Sequence, residues 1–215
     1  MKSINKALKV MKFLEEMGKK NTLSLLDIKK YRTIESAAKH KKLIPSIGPI
    51  KGKIIEDLIK KYKPKKILEI GTLFGYSAIL MARLLPSEGK VVTLEKSENN
   101  IKIAKKNIID SGLSDKINPI LGDALETIPK ITEKFDFFFI DAQKDKYFDY
   151  LKLAEKNLKK GSIIVADNAC IFKEQMSDYL KYVKRSGNYN TKTIKTLLEF
   201  SKDIKDAIEV SIKVR

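Results

Sequence analysis

From Lys65 onward the sequence alternates short β-rich runs with segments of helical period, and that alternation leaves few folds open. "KKILEI", "KVVTLE", "KINPIL", "FDFFFID" and "GSIIVAD" are separated from one another by amphipathic stretches. Strands that return only after an intervening helix pair in parallel, and a parallel sheet is covered by helices on both faces. The pattern predicts a doubly wound α/β sheet. Breaker residues set the helix limits: one helix begins near Gly75 and ends at Pro86, and the next runs from about Glu98 to Asp110, ahead of Ser111 and Gly112. Beyond the alternating region, "MSDYLKYVKRS" reads as a helix, and "YNTKTIKTLLEF" and "DAIEVSIKVR" as two further strands. Two or three helices are expected before the sheet, residues 1–46 forming a helical cap, with a break at "IPSIGPIKG", where two prolines and two glycines interrupt the helical pattern. With 215 residues, no internal repeat and no low-complexity linker, residues 1–215 are expected to fold as one domain.

Composition narrows the function classes. Ile4, Leu8, Met11, Leu14 and Met17 fall at helical spacing with lysines and glutamates between them, so the N-terminal segment lacks the unbroken apolar stretch of a signal peptide or membrane span. A cytoplasmic protein with no membrane partner is expected. The single cysteine, Cys170, excludes an internal disulfide, and with one histidine, His40, the chain offers a soft metal little. The formal charge of +17 invites a nucleic-acid reading. Yet the only arginines are Arg32, Arg83, Arg185 and Arg215, and arginine is the better residue for bidentate phosphate contacts. A solvated lysine-rich surface and an RNA substrate both stay open.

In a parallel sheet the residues just past the strand ends gather along one rim, where ligands bind. Here that rim receives Glu69 and Gly71, then Glu95, then Asp123, then Asp141, and finally Asp167 and Asn168. One such acid is readily explained as a turn residue or helix N-cap; five successive strands ending this way point to a binding edge. The first strand-to-helix turn, "EIGTLFGYS", has Leu73 where a dinucleotide fingerprint needs its second glycine, which disfavours NAD. A wider glycine spacing followed by Glu95 at the next strand end suits a nucleoside without phosphate whose ribose hydroxyls bond an acid. S-adenosylmethionine is such a ligand.

Asp141, Asp167 and Asn168 offer hard oxygen atoms from neighbouring strand ends, a set suited to magnesium or a similar divalent ion with positions left for water or substrate. Lys144 lies three residues past Asp141 on the turn into a helix, so its amine can swing back to the same place. Beside a cation and partly desolvated, a lysine can serve as general base.

Taken in order, "GPIKGKII", "LEIGTLFGYSAILMARLL", "VVTLE", "FIDAQKDKY", "VADN" and "LLEFSKDIKDAIE" resemble the cation-dependent, S-adenosylmethionine-dependent O-methyltransferases, and among them the catechol O-methyltransferases, from Ile47 onward. The resemblance implies a Rossmann-like class I methyltransferase fold: a doubly wound seven-stranded sheet whose last strand is antiparallel, preceded by N-terminal helices. It implies that Gly71 and Ser77 hold the methionine part of the cofactor, Glu95 the ribose, and that Ala124 lies beside the adenine. Ile47, Glu69, Leu73, Tyr76, Lys96, Asp123, Asp141 and Gln143 complete the expected cofactor-binding set. Asp141, Asp167 and Asn168 would ligate the metal, and Lys144, with Asn168 and Glu199, would form the catalytic group. Glu199 would accept a hydrogen bond from the neighbouring hydroxyl of a catechol.

The chain also departs from that pattern. Catechol-specific members clamp the ring with tryptophans; this chain has none, and carries Gln143 and Leu43 at those places, with Phe172 where a gatekeeping proline would stand. The expected activity is methyl transfer to a hydroxyl of a small catechol-like or phenolic acceptor. O-methylation of a hydroxylated tRNA nucleoside is the alternative acceptor class, and a nucleoside-binding protein without catalysis is the alternative of another kind. By the same resemblance a homodimer through the N-terminal helices is expected. His40 reads as solvated, Cys170 as a small buried apolar residue, and Phe137 to Phe139 as sheet core. Lys51 is left between two readings, near the site by motif and on the surface by composition.

Overall fold

Phe137, Phe138, Phe139 and Ile140 are consecutive and all fully buried. A strand achieves that only when both faces of its sheet are covered. The computed structural model describes residues 2–19, 46–199, 201 and 203–215, so His40 and Leu43 lie outside the described residues. Its strands are β1 (Lys66–Ile70), β2 (Lys90–Glu95), β3 (Ile117–Leu121), β4 (Phe135–Ile140), β5 (Leu158–Ala166), β6 (Tyr189–Leu197) and β7 (Lys205–Lys213). They form one seven-stranded sheet in the order β3-β2-β1-β4-β5-β7-β6. β1 to β5 pair in parallel, and β7 runs antiparallel to both β5 and β6, as expected of the last strand. Pro119 sits in β3, at the edge of the sheet, where a missing N–H costs least.

The helices are α1 (Lys2–Lys19), α2 (Gly48–Tyr62), α3 (Tyr76–Ala82), α4 (Glu98–Ser111), α5 (Ala124–Thr127), α6 (Tyr147–Ala154) and α7 (Ser177–Arg185). Side chains alternate across a strand, and the two faces separate accordingly. Ile67, Phe137, Phe139, Ile163 and Val165 pack with α1 to α4, while Leu68, Ile70, Phe138, Ile140 and Ile164 pack with α6 and α7. On α1 the expected Met11 and Leu14 are buried, but Ala7 takes the inward place expected of Leu8, which is 45% exposed. α3 is shorter than its sequence signal: Arg83 caps it, and the chain leaves the helix before Pro86 is reached. Among the described residues no helix is long and apolar enough to cross a membrane.

The chain winds outward from β1 to β3 in one direction and from β4 onward in the other, so the sheet order reverses between β1 and β4. Loops leaving adjacent strands at such a switch diverge, and the gap between them is where ligands bind in this class of sheet.

Candidate active site

The turn after β1 is drawn against the end of β4. A Cβ on Gly71, whose φ is +98°, would lie 2.0 Å from the carbonyl oxygen of Asp141, so only glycine permits the approach. Two residues on, Leu73 adopts a left-handed φ of +48°, and its N–H donates to Glu95 Oε2 at 2.8 Å. The N–H of Ser97 donates to Glu95 Oε1, also at 2.8 Å. Both oxygens of Glu95 are therefore aimed by backbone. Each keeps a lone pair for a further donor, such as a ribose hydroxyl.

Glu69 behaves differently from the other rim acids. It precedes the last residue of β1 and shares the face of Ile67, so its side chain is fully buried beneath α3. Thr93 Oγ1 donates to its Oε2 at 2.5 Å, and Ser77 lies near it. Burial raises its pKa to about 7, and Oε1 has no hydrogen-bond partner among the described residues. Glu69 is absent from the cavity wall and sits behind Ser77, which is part of it.

A cavity of about 570 Å³ opens at the switch point. Its lining includes Ile47, Gly71, Leu73, Tyr76 and Ser77, then Glu95, Lys96, Asp123 and Ala124 from beyond β2 and β3, and at the far end Asp141, Gln143 and Lys144 from beyond β4. Asp123 also caps α5, accepting from the Leu125 N–H at 2.8 Å, so its turn role and its place in the wall coexist. Tyr76 donates its hydroxyl to Glu15 at 2.6 Å, and Leu14 joins the wall, so α1 closes one side of the cavity. The sequence reading did not anticipate wall positions for Leu14, Tyr150 or Gln175.

At the far end, Asp141 and Asp167 follow the registered pair Ile140 and Ala166 on neighbouring strands. Lys144 Nζ donates to Asp141 Oδ1 at 2.9 Å and to the hydroxyl of Tyr147 at 2.9 Å. Tyr147 is fully buried, its pKa raised by desolvation, and it fixes where the Lys144 amine sits. Asp167, Asn168 and Glu199 lie beside the cavity rather than in its wall, and they are joined by a residue whose place the sequence left open. Lys51 is 1% exposed, and its Nζ bonds Asp167 Oδ1 at 2.6 Å and Asp206 Oδ2 at 2.7 Å. Glu199 accepts the N–H of Ile50 at Oε1 and of Lys51 at Oε2, at 2.9 and 3.1 Å, and so caps the first turn of α2. Burial raises the pKa of Glu199 against the pull of those N–H groups.

Cys170 corrects an expectation: it is exposed, not buried. It stands in the turn leaving β5, where its backbone N–H is turned inward to Asp206 and its side chain outward. Tyr147 and Asp206 were also missed. For Tyr147 the signal was present, since a residue three places after Lys144 shares its helical face. For Asp206 it was not, because the contact is made across β5 and β7.

The chemistry of the donor set fits a small divalent cation. No group of three or more His, Cys, Asp or Glu side chains among the described residues forms a metal-binding cluster. The set here is instead two carboxylates and an amide, with two lysines interleaved. Burial raises the pKa of Asp167 to about 6, and although Lys51 opposes this, Asp141 and Asp206 add to it. A cation would relieve that concentration of negative charge. Asp141 and Asp167 each have one oxygen tied to a lysine and one with no hydrogen bond among the described residues.

The O-methyltransferase family model matches residues 14–214. The chain belongs to the O-methyltransferase family. This methyltransferase is 33% identical over 186 residues to catechol O-methyltransferase B of Danio rerio, covering 83% of this chain and 69% of the relative. It is 33% identical over 139 residues to caffeoyl-CoA O-methyltransferase 1 of Eucalyptus globulus, covering 62% of this chain and 56% of that relative. In structure it superposes on the O-methyltransferase from Bacillus cereus in complex with SAH with a TM-score of 0.74 at 25% identity, over 96% of this chain and 99% of that one. The methyl donor of this methyltransferase is S-adenosylmethionine, and the sheet order and antiparallel β7 are those of class I methyltransferases.

Proposed function

We propose that the enzyme transfers a methyl group, with the help of a divalent cation, to one hydroxyl of a small phenolic acceptor carrying two adjacent hydroxyls. The observation that carries this reading is one shared cavity. It is lined by Glu95 and Ala124 as well as by Asp141 and Lys144, with Asp167 close enough to interact electrostatically with the last two. S-adenosylmethionine supplies a methyl group on a positively charged sulfur, and a cation held by Asp141, Asp167 and Asn168 supplies charge that lowers the pKa of a hydroxyl beside it.

The chain's own residues do the rest by position. Glu95, aimed by Leu73 and Ser97, takes the ribose hydroxyls; Gly71 and Ser77 face the methionine part, and Ala124 the adenine. Lys144, its amine fixed by Asp141 and Tyr147, accepts the acceptor's proton at Nζ once it has released one of its own. Glu199 keeps lone pairs beyond its two backbone bonds and can accept from the second hydroxyl. Phe172 and Gln175 shape the acceptor end in place of tryptophan. Holding two reactants at near-attack distance can supply roughly 7–11 kcal/mol in well-oriented systems. A cytoplasmic location belongs to the same proposal.

Incubation with labelled S-adenosylmethionine and magnesium, against catechols, hydroxycinnamoyl thioesters and tRNA, tests the reading. Labelling of diols that chelator abolishes is expected. Labelling of tRNA alone would shift the acceptor to RNA, consistent with the net charge of +17, and chelator-insensitive transfer would overturn the role of the cation.

A further inference from the structure

Asp206, in β7, is 1% exposed and receives four donors. Its Oδ2 accepts from Lys51 Nζ at 2.7 Å and from Asn168 Nδ2 at 2.8 Å; its Oδ1 accepts from the backbone N–H groups of Cys170 and Ile171 at 3.3 and 3.2 Å. An ionised carboxylate only accepts, so the Asn168 atom that faces it has to be the amide nitrogen. The amide oxygen is thereby turned the other way. Asn168 also carries a left-handed φ of +62°, which the bonds to Asp206 from Cys170 and Ile171, two and three residues further on, help to hold. Lys51 reaches from the first turn of α2 and occupies Asp167 Oδ1 at 2.6 Å, as Lys144 occupies Asp141 Oδ1. Each of the three oxygen donors is left with one oxygen to offer.

We propose that Asp206 and Lys51 are positioning residues that fix the cation site in a one-oxygen-per-ligand form: Asp206 by orienting the Asn168 amide, Lys51 by tying up half of the Asp167 carboxylate. Three single oxygens with the remaining positions open suit a small octahedral ion such as magnesium or manganese. They suit calcium poorly, because calcium takes six to eight oxygens and often both from one carboxylate. The inference rests on the cation reading above and assigns its geometry to two residues outside the ligand set.

The test follows Mn²⁺ binding to the whole chain by the electron paramagnetic resonance signal of the free ion, without acceptor, with Mg²⁺ and Ca²⁺ as competitors. SAH affinity measured without metal serves as the folding control. Asp206→Asn is expected to weaken Mn²⁺ binding about 10- to 100-fold, the usual effect of removing a partner of a metal ligand, and to leave SAH affinity unchanged. Lys51→Met, which frees the second Asp167 oxygen, is expected to narrow the preference for Mg²⁺ over Ca²⁺ by about ten-fold. Should either single variant fail to fold, Lys51→Met/Asp206→Asn removes both partners at constant net charge and is expected to lose at least about ten-fold in Mn²⁺ affinity. Native Mn²⁺ affinity in a folded variant lacking Asp206, or an unchanged ion preference in a folded Lys51→Met, would overturn the proposal. If the native chain itself took up no Mn²⁺, the cation reading would fail instead.

Discussion

Glu95, at the proposed cofactor end of the cavity, is aimed by backbone N–H groups 22 and 2 residues away, whereas Asp167, beside the proposed acceptor end, is aimed by a lysine side chain 116 residues away. The first arrangement is a product of one βαβ unit and needs only the strand, its turn and the next strand end. The second needs α2, the end of β5 and β7 to be assembled before Lys51, Asp167 and Asp206 neutralise one another, although Lys144 pairs with Asp141 within a single turn. Substitutions should therefore act locally at the cofactor end and cooperatively at the acceptor end.

The largest effect expected is on turnover. Lys144→Ala removes the proposed proton acceptor, a role worth about 10²- to 10⁴-fold, and single-turnover methyl transfer should fall by that order while SAH affinity stays within about two-fold. Equal losses in both would erase the distinction between the two ends. Next is stability: Lys51→Met leaves Asp167 and Asp206 buried without their cation, and breaking a buried pair costs about 3–5 kcal/mol. Urea unfolding should register a loss of that order, and Lys51→Met/Asp206→Asn should recover much of it. A loss below about 1 kcal/mol, the level of a surface pair, would mean that the acceptor end is not cooperative.

At the cofactor end the expected change is smaller. Glu95→Gln removes charge from an acceptor of two backbone N–H groups, and hydrogen bonds to charged groups are worth about 1.5–3 kcal/mol; calorimetry should find SAH affinity reduced by at least about ten-fold, with urea stability less affected than in Lys51→Met. Last comes Glu69, whose effect is confined to a window of pH. Its folded pKa of about 7 lies above the unfolded value near 4.5, so between those pH values the folded state binds the extra proton. Stability from this group is fully present below about pH 4.5 and is lost as pH rises through 7, by at most about 3 kcal/mol. Glu69→Gln should flatten that decline, seen as a melting temperature that changes less than the native one between pH 5 and pH 8.

The contrast also explains what the sequence could convey. The strands were legible because each carries its own apolar run, and the rim acids because each follows its strand directly. Leu73 announced the absence of a dinucleotide turn, and its N–H indeed goes to Glu95. Lys51 was ambiguous because 44 basic residues make any one lysine look like surface, and only assembly brings it between two carboxylates. Asp206 could not be read at all, since nothing local marks it among the acids of "SKDIKDAIE". Glu69 misled for the opposite reason: it follows the rim pattern, but period two turns it under α3. Leu8 and Ala7 show the same limit on a helix, where packing against neighbouring elements decides which of two adjacent apolar side chains is buried.

The central claim is that Asp141, Asp167 and Asn168 jointly hold a divalent cation beside Lys144. A crystal structure of the chain with SAH, Mg²⁺ and a catechol inhibitor tests it most directly. One ion is expected within about 2.0–2.1 Å of an oxygen from each of the three residues, with an inhibitor oxygen completing its shell within reach of Lys144 Nζ. An inhibitor bound in the cavity with no ion there, or with the ion held by other residues, would contradict it.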